Sequence, residues 1–360
     1  MITIKEIAQR LNMSTTTVSN VIHGKSGEVS EETKLKVQEF LDEVDYVPNI
    51  NARNLAQNES KIIGVALKAR ADKYENLIMD PFVSELIGGI EETIRNAGYF
   101  MMLYISRDTE KIMRHVSTWN VDGLILFGMI GDDGLRVSTK YKKPIVCIDT
   151  YSIEGLKHFT NVGLDDEKGT YDMVKHIISC GHKRIAFMSD NNTGVDYARF
   201  SGYKRAIEES GIEYKEEDFL KIRPKSDEIE ESLEEMCKRS MDYTAVMCVS
   251  DLYAVTLMAA LTDRGIRVPE GISIAGFDDN MLGSLHRPAL TTVHQDVKKK
   301  GIVAAQTLLK QLKGEKTKRQ IILPTRLVIR DTVTRPRKSS FYGFSSVGLY
   351  GSESVIRKIQ

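Results

Sequence analysis

Four short polar side chains, Thr15, Thr16, Ser19 and Asn20, fall on one side of the stretch TTTVSNVI (15–22). At helical spacing they form a strip of small donors and acceptors beside an apolar face of Val18, Val21 and Ile22. Side chains of this kind can bond the edges of bases when their helix lies in the major groove. Such a helix must be held by another. Thr3 can cap a first helix, with Glu6 three residues later closing a capping box. Ala8 leaves room mid-helix for a close crossing. Asn12 tolerates the left-handed backbone of a tight turn, and Ser14 can cap the second helix. Two helices crossing at a small residue are the helix-turn-helix design. A helical hairpin in an ordinary core has the same local pattern, so this stretch alone leaves both readings open.

Other chemistry is poorly represented. Gly24-Lys25-Ser26 ends like a phosphate-binding loop, but that loop needs glycine where Ser19 stands. No G-x-G-x-x-G follows a strand, and no serine sits in a G-x-S-x-G elbow. The seven histidines are dispersed. His176 and His182 flank a helix end without a third convergent ligand, so neither a metal nor a cofactor is expected. Trp119 reads as a packing residue. Cys147, Cys180, Cys237 and Cys248 have no close partner and read as buried reduced thiols. With no constellation of nucleophile, base or metal, an enzyme is not expected.

The chain has 360 residues, 41% of them apolar and 28% charged, with a net charge of zero. That suits two or three domains with a substantial core, and it does not announce a nucleic-acid partner. MITIKEIAQR has no secretory pattern, and no run of about 18 apolar residues could span a bilayer. A cytoplasmic protein with no membrane partner is expected.

Ser30 opens a third helix, Glu31 to Val44, with Leu35, Val37, Phe40, Leu41 and Val44 as its apolar stripe. Pro48 ends helical structure before it. Asn49 can cap a short segment, 50–56, that is too short to be a stable helix alone. It should order only when something binds it. Residues 1–27 carry +2 and residues 28–48 carry −5. The acids of the third helix should face away from DNA, leaving Lys5, Arg10, Lys25 and Arg53 for phosphates and a shallow salt dependence. From Lys61 the pattern changes. Apolar runs at 62–67, 100–105, 123–127 and 145–148, then at 184–188, 245–249 and 272–277, read as buried parallel strands between helices. Two doubly wound units result, with a ligand cleft at the carboxyl ends of their strands. An amphipathic helix reaching Leu312 follows LTTVHQD (290–296). Two last strands, Gln320 to Leu323 and Leu327 to Ile329, return to the first lobe and then the second. The tail from Thr334 carries +4 and is expected to be disordered.

The stretch EIAQRLNMSTTTVSNVIHG, followed by VSEETKLKV, YVPNINARNLA and KIIGV, resembles the headpiece and hinge of the LacI/GalR family of bacterial transcriptional regulators. VDGLILF (121–127), ARFSGYKRAIEESGI (198–212), ISIAGFDDN (272–280) and RPALTTVHQD (287–296) resemble the sensor domain of the same family. The resemblance runs from residue 2 to about 333. It implies that Thr15, Thr16 and Asn20 read bases and that Leu55 wedges into the minor groove. Lys5, Ser14, Ala52 and Arg53 complete the DNA-facing set. It implies an effector site at Arg199 and Asp278, joined by Asp149 at the cleft mouth, Ser250 where many members have Asn, and Gln295 at the crossover between lobes. Arg and Asp match vicinal hydroxyls or a carboxylate with paired hydrogen bonds; the alternative is a structural ion pair at strand and helix ends.

The expected architecture is α/β. An all-α helix-turn-helix headpiece (1–48) leads through a hinge helix (49–59) to a two-lobed, periplasmic-binding-protein-like sensor domain (60–333) of two doubly wound parallel sheets. Lobe 1 takes residues 60–160 and 293–323, and lobe 2 takes 161–292 and 324–333. The expected function is a sequence-specific repressor. As a homodimer it binds a near-palindromic double-stranded DNA operator, under control of a small-molecule effector, a sugar or sugar derivative. The alternatives are a solute-binding protein of the same fold and a regulator answering to a nucleobase or a protein.

Overall fold

The structure is a computed structural model, and it describes residues 2–22, 29–46, 59–70, 76–130, 133–151, 159–225 and 228–336. The chain forms two units, Met1–Lys61 and Ile62–Gln360.

In the small unit, α1 (Ile4–Leu11), α2 (Thr15–Ile22) and α3 (Glu31–Glu43) surround a core of Ile7, Ala8, Val18, Val37 and Leu41. Thr3 and Glu6 form the expected capping box, and Asn12 turns the chain with φ 52°. Ser14 Oγ accepts from Thr17 N at 3.0 Å. The stripe expected on α3 is narrower than the sequence suggested. Leu35 is 63% exposed, because it lies off the arc shared by Val37 and Leu41, and Val44 caps the helix. Lys25 and the hinge segment 49–58, expected to meet DNA, lie outside the described residues.

The large unit contains two six-stranded sheets. The first uses β1 (Ile62–Lys68), β2 (Phe100–Ser106), β3 (Gly123–Phe127), β4 (Ile145–Ile148), β5 (Thr160–Leu164) and β11 (Gln320–Leu323), in the order β11-β5-β4-β3-β1-β2. All its pairings are parallel. The second uses β6 (Ile185–Ser189), β7 (Phe219–Lys221), β8 (Ala245–Cys248), β9 (Ser273–Asp278), β10 (Thr291–His294) and β12 (Arg326–Val328), in the order β12-β10-β9-β8-β6-β7. Here β12 is antiparallel to β10, so this sheet is not wholly parallel. Helices α4 (Pro81–Asn96), α5 (Thr109–Thr118) and α6 (Asp133–Lys140) lie in the first half of the unit. Then come α7 (Asp166–Ser179), α8 (Gly194–Glu209), α9 (Ile229–Ser240), α10 (Asp251–Asp263), α11 (Met281–Leu285) and α12 (Val297–Leu312).

Central strands such as β4, β6, β8 and β9 are buried throughout, which explains their near-continuous apolar runs. Three strands were not expected. β5 opens on Thr160 and Asn161, β10 on two threonines, and β7 is three residues long, so none has a long apolar run. Because β5 joins the first sheet, the crossing to the second lobe follows Leu164, later than the expected boundary at 160. Trp119 is 57% exposed and does not pack as expected, because it is the C-terminal cap of α5 at the surface. Cys147, Cys237 and Cys248 are buried, whereas Cys180 is only half-buried; all four are free. Among the described residues no helix is long and apolar enough to cross a membrane.

Candidate functional site

Two features of the large unit aim α8 at the strand ends. Phe200 and Tyr203 pack with tilted rings on Phe187 of β6, each with ring centroids 5.4 Å from it. Gly202 lets α8 approach α7 backbone to backbone, since a Cβ there would stand 2.1 Å from Glu167 O. Arg199, on the same helix, is thereby directed to the carboxyl edge of the second sheet. It is buried. Its Nε donates to Asp166 Oδ1 at 2.8 Å and its Nη1 to Val249 O at 2.6 Å. Nη1 also stands 3.7 Å from Asp278 Oδ1, and the guanidinium lies 3.6 Å from the centre of the Phe277 ring.

A cleft of about 610 Å³ opens at this edge. Arg199, Asp278, Asp149, Ser250 and Gln295, five residues from five separate segments, all line it. Asp278 ends β9 with φ 126°, and Asp149 follows β4 with φ 52°. Backbone held in such sparsely populated regions concentrates at ligand clamps. Gln295 Nε2 donates to Asp278 Oδ1 at 2.6 Å. Asp149 does not face the mouth as expected. Its side chain is buried against Lys300, whose Nζ donates to Asp149 Oδ2 at 2.7 Å. Ser250 caps α10, with its side chain accepting from Tyr253 N, so its hydroxyl serves the helix as well as the cleft.

The electrostatics follow from burial. Loss of water pushes the Asp278 carboxyl up to about 6, with Arg199 opposing the shift. Burial likewise raises Asp149, against the pull of Lys300. It raises Asp251 well above the usual range, with the Asp278 charge adding to it. Burial works against the Arg199 charge too, but Asp166 and Asp278 outweigh it and hold that pKa above its ordinary value. The arrangement can bind a polar molecule through fixed charges and acceptors. Among the described residues no group of three metal-binding side chains is close enough to hold an ion.

Sequence reasoning missed several participants. Asp166, at the first turn of α7, is the main partner of Arg199, and it also accepts from the Tyr151 hydroxyl. Arg70, after β1, pairs with Asp190, after β6, at 2.9 Å across the cleft. Lys300 was hidden in the run Lys298-Lys299-Lys300. Its spacing from Val297, Gly301, Ala304 and Leu308, all buried, would have placed it on the inner face of α12.

The small unit offers a second surface. Thr15 and Thr16 are exposed at the start of α2, beside exposed Ser14 and Lys5, while Ser19 and Asn20 are half-buried. The expected hinge contacts Ala52, Arg53 and Leu55 lie outside the described residues.

Residues 3–49 match the model of bacterial regulatory proteins of the lacI family, and residues 174–333 match a periplasmic binding protein-like domain. The chain is 31% identical over 341 residues to the HTH-type transcriptional regulator MalR of Clostridium butyricum, covering 91% of this chain and 98% of that protein. It resembles the lac repressor dimer solved with operator and the anti-inducer ONPF, at TM-score 0.80 and 25% identity over 92% of this chain and 99% of the other. It also resembles the transcriptional regulator CelR in complex with cellobiose, at TM-score 0.69 and 25% identity over 92% of this chain and all of the other.

Proposed function

Because the chain belongs to the LacI family of bacterial regulatory proteins, we propose that a sugar or sugar derivative bound at Arg199 and Asp278 controls its hold on DNA. The chain is a DNA-binding transcriptional regulator with an effector-binding domain. In our reading it acts as a cytoplasmic homodimer on a near-palindromic operator. Thr15, Thr16 and Asn20 select bases there, and Lys5, Ser14, Ala52, Arg53 and Leu55 hold and bend the duplex. A single helix-turn-helix reads few base pairs, so a second copy is needed for affinity.

The observation that carries the effector reading is the meeting of Arg199 and Asp278, 3.7 Å apart, in the wall of one cleft. Vicinal hydroxyls donate to carboxylates and accept from a guanidinium, and a closed cleft removes competing water. Arg199 also approaches Asp278 as an ion pair, at 3.7 Å, although its shorter bond is to Asp166, at 2.8 Å. Arg199 is thus both a structural tie and a cleft wall.

The test begins with a thermal-shift screen of sugars, sugar phosphates and nucleobases, since a ligand of the folded state stabilises by RT ln(1 + [L]/Kd). The best ligand is then titrated calorimetrically into wild type, Arg199→Ala and Asp278→Ala, with and without an operator selected from random duplexes. Binding should be lost in both variants. Operator should change ligand affinity by the factor by which ligand changes operator affinity. Near-equal affinity in all three proteins removes these residues from the site. Equal affinity with and without operator removes the coupling.

A further inference from the structure

The chain passes between the lobes three times: from β5 into α7, from β10 through Gln295 into α12, and from β11 into β12. The strands at these crossings stand at one edge of each sheet. β11 and β5 are the first two of their order, and β12 and β10 are the first two of theirs. The hinge between the lobes therefore runs along that edge. Arg70 follows β1 and Asp190 follows β6, and each of these strands is fifth of six from the hinge. At about 4.8 Å per strand, the pair sits about 14 Å out from β5 and β10, so a hinge rotation of about 10° would part it by about 2.5 Å.

Arg70 Nη1 stands 2.9 Å from Asp190 Oδ2, and the Asp190 side chain is buried. Burying a carboxylate is costly unless a charge is held against it. Lys68, Lys300 and Arg199 take carboxylates of their own lobe: Asp133, Asp149, and Asp166 with Asp278. Arg70 takes one from the opposite lobe. Among the described residues, Tyr151 to Asp166 and Gln295 to Asp278 also join lobe to lobe. Asp166 and Gln295 sit at the crossings, however, where a rotation moves them little. Arg70 and Asp190 meet where opening separates them most.

We propose that Arg70 and Asp190 form a latch that holds the cleft closed before any ligand arrives. A ligand then enters and leaves through the minor open state, so the latch slows both steps in proportion to the population it removes. The inference rests on the reading of this cleft as a small-molecule site, but the latch itself can be measured with no ligand present.

The test is a spin-label distance measurement on the full chain, by double electron-electron resonance. Cys180→Ser removes the half-buried thiol, and the other three cysteines are buried. Labels go on Lys111→Cys in α5, just past β2, and on Lys221→Cys at the end of β7. Both positions are exposed, and β2 and β7 are the strands farthest from the hinge. Dilution with unlabelled chain removes distances between copies. The latched protein should show mainly one distance. Arg70→Met and Arg70→Met/Asp190→Asn should each add a population longer by about 3 Å, four strand spacings turned through about 10°. An unchanged distribution in either variant overturns the proposal, and so does a longer population that already dominates before substitution. Should Arg70→Met fail to fold, the paired variant, which buries no unmatched charge, decides. A control pair inside the second lobe, Lys183→Cys with Lys221→Cys, should not move; if it lengthens as much, the lobe itself has loosened and the latch is overturned. A ligand screen that finds nothing leaves these distances as the measure of the latch, and distances that do not change leave the sugar reading to its own calorimetry.

Discussion

Replacing Asp278 by Asn should stabilise this protein above pH 6 while removing ligand binding. The carboxyl is buried, and burial raises its pKa from the ordinary 3.8 to about 6. A folded-state pKa above the unfolded value means that the folded chain holds this proton more tightly. Stability supplied by the proton is present below pH 3.8 and is lost as pH rises through 6. Over that span the loss is about 3 kcal/mol, at 1.36 kcal/mol for each pH unit between the two values. Roughly 2 kcal/mol of it should fall between pH 4.5 and 7.5. Asn keeps the shape and cannot ionise, so the stability of Asp278→Asn relative to wild type should climb by that amount across the window and then level off. Denaturant unfolding followed by circular dichroism at half-unit pH steps measures it. Other carboxyls that titrate alike in both proteins cancel in the difference. A difference that stays flat, or falls as pH rises, would refute the account of Asp278 as a charge kept in a costly place for a ligand. A stabilised but non-binding variant is the expected signature of a site whose function opposes stability.

Three further outcomes follow from the same geometry. Arg199→Met should destabilise by about 3–5 kcal/mol at neutral pH in denaturant unfolding, because Asp166 and Asp278 lose the cation between them. Gly202→Ala should cost about 1–3 kcal/mol and weaken ligand binding, since its Cβ would stand 2.1 Å from Glu167 O and force α8 and its arginine outward; calorimetry and unfolding should move together. Thr16→Ala/Asn20→Ala should change base preference in a selection from random duplexes, by about 1–3 kcal/mol for each well-formed hydrogen-bonded pairing with a base that the variant removes. Its thermal unfolding should remain near wild type, because Thr16 is exposed and Asn20 half-buried.

What the sequence made legible, and what it did not, divides along a physical line. Buried parallel strands such as β4 and β8 announce themselves, because both faces must be apolar. Helix starts at Thr3 and Ser30 are visible, because caps need particular side chains at fixed offsets. β5 and β10 were missed because their Thr and Asn side chains are buried through tertiary bonds: Asn161 accepts from Thr150 N, and Thr292 donates to Asp251. No local pattern records such partners. The cleft shows the same division. Arg199 and Asp278 could be placed at strand and helix junctions that a doubly wound sheet brings together. Charge alone does not set Asp166 apart from its neighbours Asp165 and Glu167, or Lys300 from Lys298 and Lys299. Each is defined by a partner 33 or 151 residues away in the chain. A buried charge can be read from sequence only when its partner is also identified, since an isolated one would be too costly to keep. In Lys300 the spacing of α12 already carried half of that inference, because it put a lysine on an apolar face. The missing half was Asp149, which the sequence did single out, though for the ligand and not for the lysine.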